Sequence, residues 1–560
     1  MRKMLKKAMA AFMVMTMVFA ITPAGGLLAN DFVFPGLPTI ELTQEARDIA
    51  LEDFDYLVDI MLQTLATQNI ISRMGDMDFA EVLAYIRAGI YDMMPISDLM
   101  SLLYADLMDE RWASIPDDPL YIAASYLFSL LTILTVHLEG ISHLMPAPLS
   151  MASHDIHVTL HYFASGGEMG DFERELLEAF GLDIERSMVA TENFMQMGYD
   201  IMINPATLWF YGLDVDQFDL EADIFDVIGT MDEGNVTTLV IVPDQVAYIH
   251  IASFMNNLAV DAEVLFPFYE EIQGFDHLII DLRGNGGGIA GSFPVNVLSM
   301  LANDTLSFSF PEFFIASDVT AGYFVEPVSL AVSELNSIVT AQEAVDALGL
   351  TEFNADDLAL LDYAIIWDFE LEPQEGAIPF DGDIWLLVDG LSASASVLAA
   401  KLADWSGFAT VVGEPTSGVT GTIFHRVALP NTGIVYRIDL GYTVDSLGRS
   451  IEEFGVIPQI LNMEGLDALE TVLYIIGADV DEDALPVAEI DFVPVRLVGE
   501  ILGFDVSWDG DLRAAVLTDE AGNELVLIIE YLGGYIEDGV SYLRADIFEA
   551  LLTDFVLAAE

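Results

Sequence analysis

Three serines stand at alternate positions in Leu391-Ser-Ala-Ser-Ala-Ser396, directly behind the apolar run Ile384–Val388 and the turn pair Asp389-Gly390. The run is short, bulky and bounded by turn residues, which predicts a buried strand. From Val397 to Leu402 the pattern becomes helical. A serine at such a joint meets the free N–H groups of a helix N-terminus, donors that can hold a developing oxyanion. The same Ser-Ala alternation is equally compatible with small residues that only cap a helix. A second chemistry-bearing stretch is Arg283-Gly-Asn-Gly-Gly-Gly288, at the end of an apolar run from His277 to Leu282. Its glycines permit a tight turn with backbone N–H groups facing a ligand. It lacks the lysine of a phosphate-binding P-loop and does not match a dinucleotide fingerprint. A loop that presents N–H groups to an oxyanion fits better.

Histidines crowd one region: His137, His143, His154, His157 and His161. No His-Glu-x-x-His pattern accompanies them, and the stretch around His157 reads as a strand, so no metal site is expected there. Neither metal nor cofactor is predicted anywhere in the chain.

The elements that must position these groups follow from the pattern. The 560 residues carry 18 basic and 91 acidic side chains, a formal net charge of −73. That balance argues against nucleic acid or anionic lipid as a partner of the general surface. It also suits a polyanionic acyl-CoA poorly. There is no cysteine, so nothing depends on disulfides or thiolates. Arg2, Lys3, Lys6 and Lys7, the apolar stretch Ala8–Ile21 and the small residues of Thr22-Pro23-Ala24 read as a signal peptide over 1–24. An uncleaved anchor is the alternative; both place the bulk of the chain outside the cytoplasm or on the cell surface. Residues 41–146 read as a helical domain, with helical spacing over Glu41–Leu65, Phe79–Met94, Ile96–Met108 and Leu120–Leu138. The last is long and uncharged; its tyrosines, serines and threonines, and the lack of a basic flank, predict a buried helix rather than a membrane span. Residues 147–236 link the domains without a readable role. From Thr237 to Ile476 strands and helices alternate, with a weakly patterned insert at about 305–378 and a hairpin turn at Asn431-Thr-Gly433. An acidic linker at 477–486 precedes a small domain at 487–560.

The order of Asp281-Leu-Arg-Gly-Asn-Gly-Gly-Gly288, Ser392-Ala-Ser-Ala-Ser396, Val412-Gly-Glu-Pro-Thr416 and Glu452-x-x-Gly-Val-x-Pro458 resembles the C-terminal-processing and tricorn-type serine peptidases, family S41. The resemblance covers about residues 237–476 and implies an α/β crotonase/ClpP-like core. It implies Ser394 as nucleophile, with the N–H of Ala395 and of a glycine of Gly286–Gly287 as oxyanion donors. Peptide or unfolded protein would be the substrate. The lysine that C-terminal-processing peptidases carry just after their Gly-Glu-Pro-Thr-x-Gly element is Val419 here, which cannot take a proton. Lys401 lies about two turns along the helix from Ser394, too far to replace it, and a solvated or structural role is expected for it. The tricorn-type branch uses a Ser-His pair with a supporting glutamate. Ser142-His143 and Glu452 look like that set: Glu452 orients Ser142, Ser142 orients His143, and His143 is the general base. His425 is the rival base. Val397 and Gln459 replace acidic residues of the family pattern, which leaves a non-catalytic surface binding protein on the same fold as the alternative function. Phe492-Val-Pro-Val-Arg496 through Trp508, with Ser541-Tyr-Leu-Arg544, resembles the stalk domain first named from copper amine oxidases. That domain implies cell-wall or surface attachment, and no copper.

Overall fold

In the computed structural model the described residues are 39–75, 78–98, 118–137, 144–149, 160, 196–213, 235–255, 258–320, 337–420, 422, 424–478 and 480, then 492–496, 504–509, 514–518, 524–528, 535–537 and 540–544. The readings for residues 1–24 and for Ser142, His143, His154, His157 and His161 lie outside them. Leu160, within the stretch read as a strand, is helical.

The N-terminal region is helical, as expected. β1 (Thr39–Ile40) leads into α1 (Gln44–Thr64), α2 (Gln68–Met74) and α3 (Phe79–Tyr91). Thr43 and Asp78 cap α1 and α3 by accepting N–H groups of the first turn. The expected helix over Ile96–Met108 fails at its start: Ile96–Ser97 form β2, paired antiparallel with β1. α4 (Pro119–His137) packs on α1, and Tyr126, Leu127, Phe128, Leu130 and Ile133 are fully buried. A helix apolar all round is a core helix here. Among the described residues, no helix is long and apolar enough to cross a membrane.

β3 (Ala147–Pro148) and α5 (Pro205–Tyr211) precede a six-stranded sheet. Its members are β4 (Val236–Val242), β5 (Val246–Ile251), β6 (His277–Asp281), β10 (Asp383–Val388), β11 (Thr410–Gly413) and β15 (Ile460–Leu461), in the order β15-β11-β10-β6-β5-β4. All neighbours run parallel except the β4–β5 hairpin. Parallel strands are covered on both faces, which is why Leu278–Ile280 and Ile384–Val388 are continuous apolar runs. One face packs under α6 (Leu258–Glu271) and α9 (Ala395–Ser406), the other under α11 (Ala468–Ile476). The register Leu387↔Asp281 ends β6 and β10 side by side. Their following loops are therefore neighbours, at the sheet end where α/β folds bind ligands.

The insert is not weakly structured. β7 (Leu306–Phe314), β8 (Ser337–Thr340) and β9 (Tyr363–Leu371) form a second sheet with β14 (Tyr442–Thr443), ordered β14-β7-β9-β8, with α7 (Ala341–Leu348) and α8 (Ala355–Leu360) between β8 and β9. Phe308, Phe310 and Phe369 stack on its face. β12 (Phe424–Ala428) and β13 (Val435–Asp439) form the expected hairpin, and β3 joins its edge. α10 (Ile451–Phe454) follows β14. In the C-terminal domain, Phe492–Pro494 pairs with Val540–Arg544, so Ser541-Tyr-Leu-Arg544 folds back on the strand that opens the domain. Asp505–Asp509, Ala514–Thr518 and Glu524–Ile528 form an antiparallel meander.

Asp53 of α1 docks the helical region on the hairpin. Its carboxylate, buried, accepts the N–H and side-chain amide of Asn431 at 2.9 and 3.0 Å and the N–H and hydroxyl of Thr432 at 2.9 and 2.6 Å. Asp53→Ala leaves these donors without their acceptor and is expected to lower stability by about 3 kcal/mol, read as a shift of the urea midpoint; Asp53→Asn recovers part.

Candidate active site

Ser394 stands between β10 and α9 with φ 52° and ψ −114°. It is one of three non-glycine residues at positive φ among those described. A side chain in that region costs about 1–3 kcal/mol and persists only where the surroundings over-determine it. Here they do. The Ser394 N–H is donated to the Val419 carbonyl at 2.7 Å, and the Ser394 carbonyl accepts Leu398 N–H in the first turn of α9. Strain at a strand-to-helix turn of this kind lifts the hydroxyl clear of the sheet.

The other two serines are taken up by structure. Ser392 is buried; its hydroxyl donates to the Leu282 carbonyl at 2.9 Å and lies 3.1 Å from Asp389 Oδ1. Ser396 is buried in the helix. Ser394 alone of the three is only half-buried.

The glycine loop is tied to the serine turn at three points. Gly284 N–H donates to Asp389 Oδ1 at 3.0 Å, Ala393 N–H donates to the Asn285 carbonyl at 3.0 Å, and Gly287 lies directly against Ser394. A Cβ on Gly287 would fall 2.6 Å from Ser394 Cβ and 2.8 Å from Ala395 N, and its φ of +97° already favours glycine. The two glycines expected as oxyanion donors thus differ. Gly287 N–H is committed to Asn285 Oδ1 at 2.9 Å. The N–H groups of Gly286 and Ala395 have no acceptor among the described residues. Asn285 and Asp389 are the braces that sequence reasoning missed. Asn285, fully buried, also donates its amide to the Ile251 carbonyl at 2.9 Å. An Asn or Asp beside glycines in a turn was the available signal. Behind the loop, Asp281 accepts the Arg283 guanidinium at 2.7 Å and the Tyr248 hydroxyl at 2.8 Å, and Arg283 reaches Asp467 at the start of α11.

Glu452 lies in α10, buried. Its Oε1 accepts the Thr443 N–H at 2.9 Å and hydroxyl at 2.7 Å and the Thr420 hydroxyl at 3.3 Å; Ser450 donates to Oε2 at 3.1 Å. Burial, partly offset by these bonds, pushes its carboxyl up to about 7. Gly418, at φ +80°, packs against the Glu452 carbonyl. A cavity of about 20 Å³, room for one water, lies between Val419, Thr420, Asp439, Gly441, Glu452 and Leu144. Leu144 is the residue after His143.

His425 lies on β12 opposite Ile438, half-buried, with its imidazole held down to about 4 first by burial and then by Arg426. Lys401 is not solvated: it is 6% exposed, with its ammonium 3.9 Å from the centre of the Phe310 ring. Val397 and Gln459, the two departures from the family pattern, serve packing. Val397 is core, and Gln459 Oε1 accepts the Val411 N–H at 2.5 Å, bracing β11. Among the described residues no three His, Cys, Asp or Glu side chains are grouped to hold a metal.

Residues 245–461 match the model of peptidase family S41. This stretch is similar to a peptidase family S41 domain. It spans β5 to β15 and contains Ser394, the glycine loop and Glu452, and the α/β core expected from the motif order is met. Among solved structures, the chain is similar to the photosystem II D1 C-terminal processing protease (20% identity, 44% of this chain and 54% of that one, TM-score 0.28). It is also similar to mature CPAF complexed with lactacystin (20%, 41% and 51%, 0.28) and to a putative peptidase from Parabacteroides merdae (18%, 53% and 81%, 0.30). The chain spans about half the length of the first two.

Proposed function

We propose that this chain is a secreted serine endopeptidase that cleaves peptides or unfolded protein segments through an acyl-enzyme on Ser394. The observation that carries the reading is the strained Ser394 turn packed on Gly287, with the N–H groups of Ala395, the residue after Ser394, and of Gly286, the residue before Gly287, without an acceptor among the described residues. A serine hydroxyl attacks a carbonyl only when a neutral base takes its proton, and the resulting oxyanion needs donors already in place.

His143 is the base in this reading, oriented by Ser142, with Glu452 behind. Leu144, the next residue in sequence, lines the same small cavity as Val419 and Glu452, and Val419 holds the Ser394 backbone, which supports this choice. His425 is the weaker candidate, because an imidazole held near 4 has little drive to accept a proton at neutral pH. Secretion is supported by the basic and apolar pattern of residues 1–24, and attachment to a wall or surface by the resemblance of the 487–560 domain.

A fluorophosphonate probe tests the mechanism. One adduct on Ser394 is expected, absent from Ser394→Ala, slowed by roughly 10²-fold or more in His143→Ala and little changed in His425→Ala. No adduct in the folded wild-type protein favours the non-catalytic binding protein instead. Loss of labelling in His425→Ala with His143→Ala unaffected would move the base to His425.

A further inference from the structure

We infer that Arg73, in the last turn of α2, is a positioning residue for Ser394: its guanidinium fastens α10 to the helical region and to the insert, and α10 seats the segment whose Val419 carbonyl holds the Ser394 N–H. The link to catalysis rests on Ser394 being the nucleophile.

One guanidinium joins three parts of the chain. Its Nη1 and Nη2 donate to Asp357 Oδ1 and Oδ2 at 2.8 and 2.9 Å, and its Nη2 and Nε donate to Glu453 Oε2 and Oε1 at 2.5 and 3.3 Å. Asp357 stands 284 residues and Glu453 380 residues from Arg73 in sequence. A planar fork can serve two carboxylates on two of its edges, which a lysine ammonium cannot do. Asp357, in the first turn of α8, is 1% exposed and also accepts the Tyr442 hydroxyl at 2.8 Å. Breaking a buried pair is costly because it leaves a charge uncompensated, so Asp357 fixes where the guanidinium stands. Glu453 is the more exposed partner, and it is the one that reaches the site.

α10 has four residues, a single turn that depends on tertiary contacts for its place. Ser450 caps it by accepting the Glu453 N–H at 3.2 Å, and Arg73 holds the carboxylate of the same residue. The loop after β11 packs on this turn. A Cβ on Gly418 would fall 2.9 Å from the Glu452 carbonyl oxygen and 3.1 Å from that of Ile451. Just past α10, a Cβ on Gly455 would fall 2.0 Å from the Thr416 carbonyl oxygen, and Val456 N–H donates to Thr416 Oγ1 at 2.9 Å. Residues 416–419 are therefore seated on α10 and on the turn that follows it, and the Val419 carbonyl accepts the Ser394 N–H at 2.7 Å. The strained Ser394 turn persists only while such contacts hold it. The other end of α2 reaches the same place: Thr67, its N-cap residue, lines the small cavity with Val419 and Glu452. Between the two ends, the Asn69 amide donates to the Asp356 carbonyl at 3.0 Å.

An ion pair exposed at both ends contributes little. Arg73 differs because a buried carboxylate anchors one edge of its fork while the other edge grips the turn under the 416–419 segment. The two arms have separable effects. The Asp357 arm bears on stability, and the Glu453 arm bears on where α10 stands.

The test compares wild type with Arg73→Met, Arg73→Lys, Glu453→Ala and the Arg73→Met/Glu453→Ala double variant. Melting temperature is measured for each, and the rate of fluorophosphonate labelling is measured at a temperature where all are fully folded. Glu453→Ala is expected to keep a melting temperature near wild type and to label about fivefold more slowly or worse, the scale of a small misplacement in an active site. Arg73→Lys should behave alike, because its ammonium still compensates the buried Asp357 but has no second edge for Glu453. Arg73→Met should lose both stability and rate, and the double variant should label no more slowly than Arg73→Met, since the contact is already gone. A role confined to stability predicts wild-type labelling in every folded variant. That result overturns the proposal, as does a double variant in which the two losses multiply. If Arg73→Met does not fold, Glu453→Ala and Arg73→Lys decide, because each leaves Asp357 its cation. An unlabelled wild type overturns the nucleophile reading and this proposal with it; a labelled wild type with folded variants that match its rate overturns this proposal alone.

Discussion

Gly287→Ala is expected to slow fluorophosphonate labelling of Ser394 by about 10²–10³-fold, the cost of losing an oxyanion donor. The atoms in the way of the new Cβ are not the ends of flexible side chains. They are the Ala393 carbonyl oxygen and Ser394 Cβ at 2.6 Å and the Ala395 nitrogen at 2.8 Å, all part of the serine turn itself. The loop must therefore back away from the turn, and the Gly286 and Ala395 N–H groups separate. The strain of an alanine at φ +97° adds to the cost, so a lower melting temperature should accompany the loss. Gly286→Ala is the matched control. Its Cβ meets nothing within 4 Å, and its N–H is kept, so most of the labelling should survive. Equal labelling of Gly287→Ala and wild type would mean that this loop does not supply the oxyanion donors.

The difference between these two adjacent glycines was not legible in the sequence, and the reason is physical. The run Arg283–Gly288 announces a turn with exposed N–H groups, but which N–H is spent on Asn285 and which glycine touches Ser394 depends on a loop more than 100 residues later in the chain. The strands carrying both loops were legible because parallel strands buried on two faces leave unbroken apolar runs, as in Leu278–Ile280 and Ile384–Val388. The insert was not, because β7 runs through a proline, Pro311, that argues against a strand in the sequence, and β8 and β9 are separated by two helices. Missing β7 also left Lys401 open between a solvated and a structural role, of which the structure shows the second. Read along α9 alone, a lysine on a helix points to water; only the sheet that covers that face buries it. Ile96–Ser97 misled in the other direction, since a helical spacing was overridden by pairing with Thr39–Ile40, distant in sequence. Asp53 gave no signal either: it is one acidic residue among 91, singled out only by the turn it caps.

Ser394→Gly and Ser394→Ala should both end labelling, a loss beyond about 10³-fold, yet they should part company in stability. Alanine keeps a Cβ at φ 52° and ψ −114°, so Ser394→Ala inherits the strain of the turn and should unfold close to wild type. Glycine visits that region freely, which releases about 1–3 kcal/mol of strain. It also loosens the unfolded chain at a cost of about 0.5–1 kcal/mol. The net expectation is a Ser394→Gly variant more stable than Ser394→Ala by about 1 kcal/mol, measured as the difference in their denaturant midpoints. The comparison separates two readings of the alternating serines. If Ser394 were only a helix cap, its side chain would accept an N–H of the first turn, and no such bond is made by its hydroxyl; a capping serine would also make glycine the neutral or slightly worse choice. A gain on going to glycine, together with loss of the adduct, would mean that the chain holds a strained serine where glycine is the stable residue, which is the mark of a hydroxyl kept for chemistry. A Ser394→Gly variant less stable than Ser394→Ala would remove the strain argument, and the nucleophile would then rest on labelling alone.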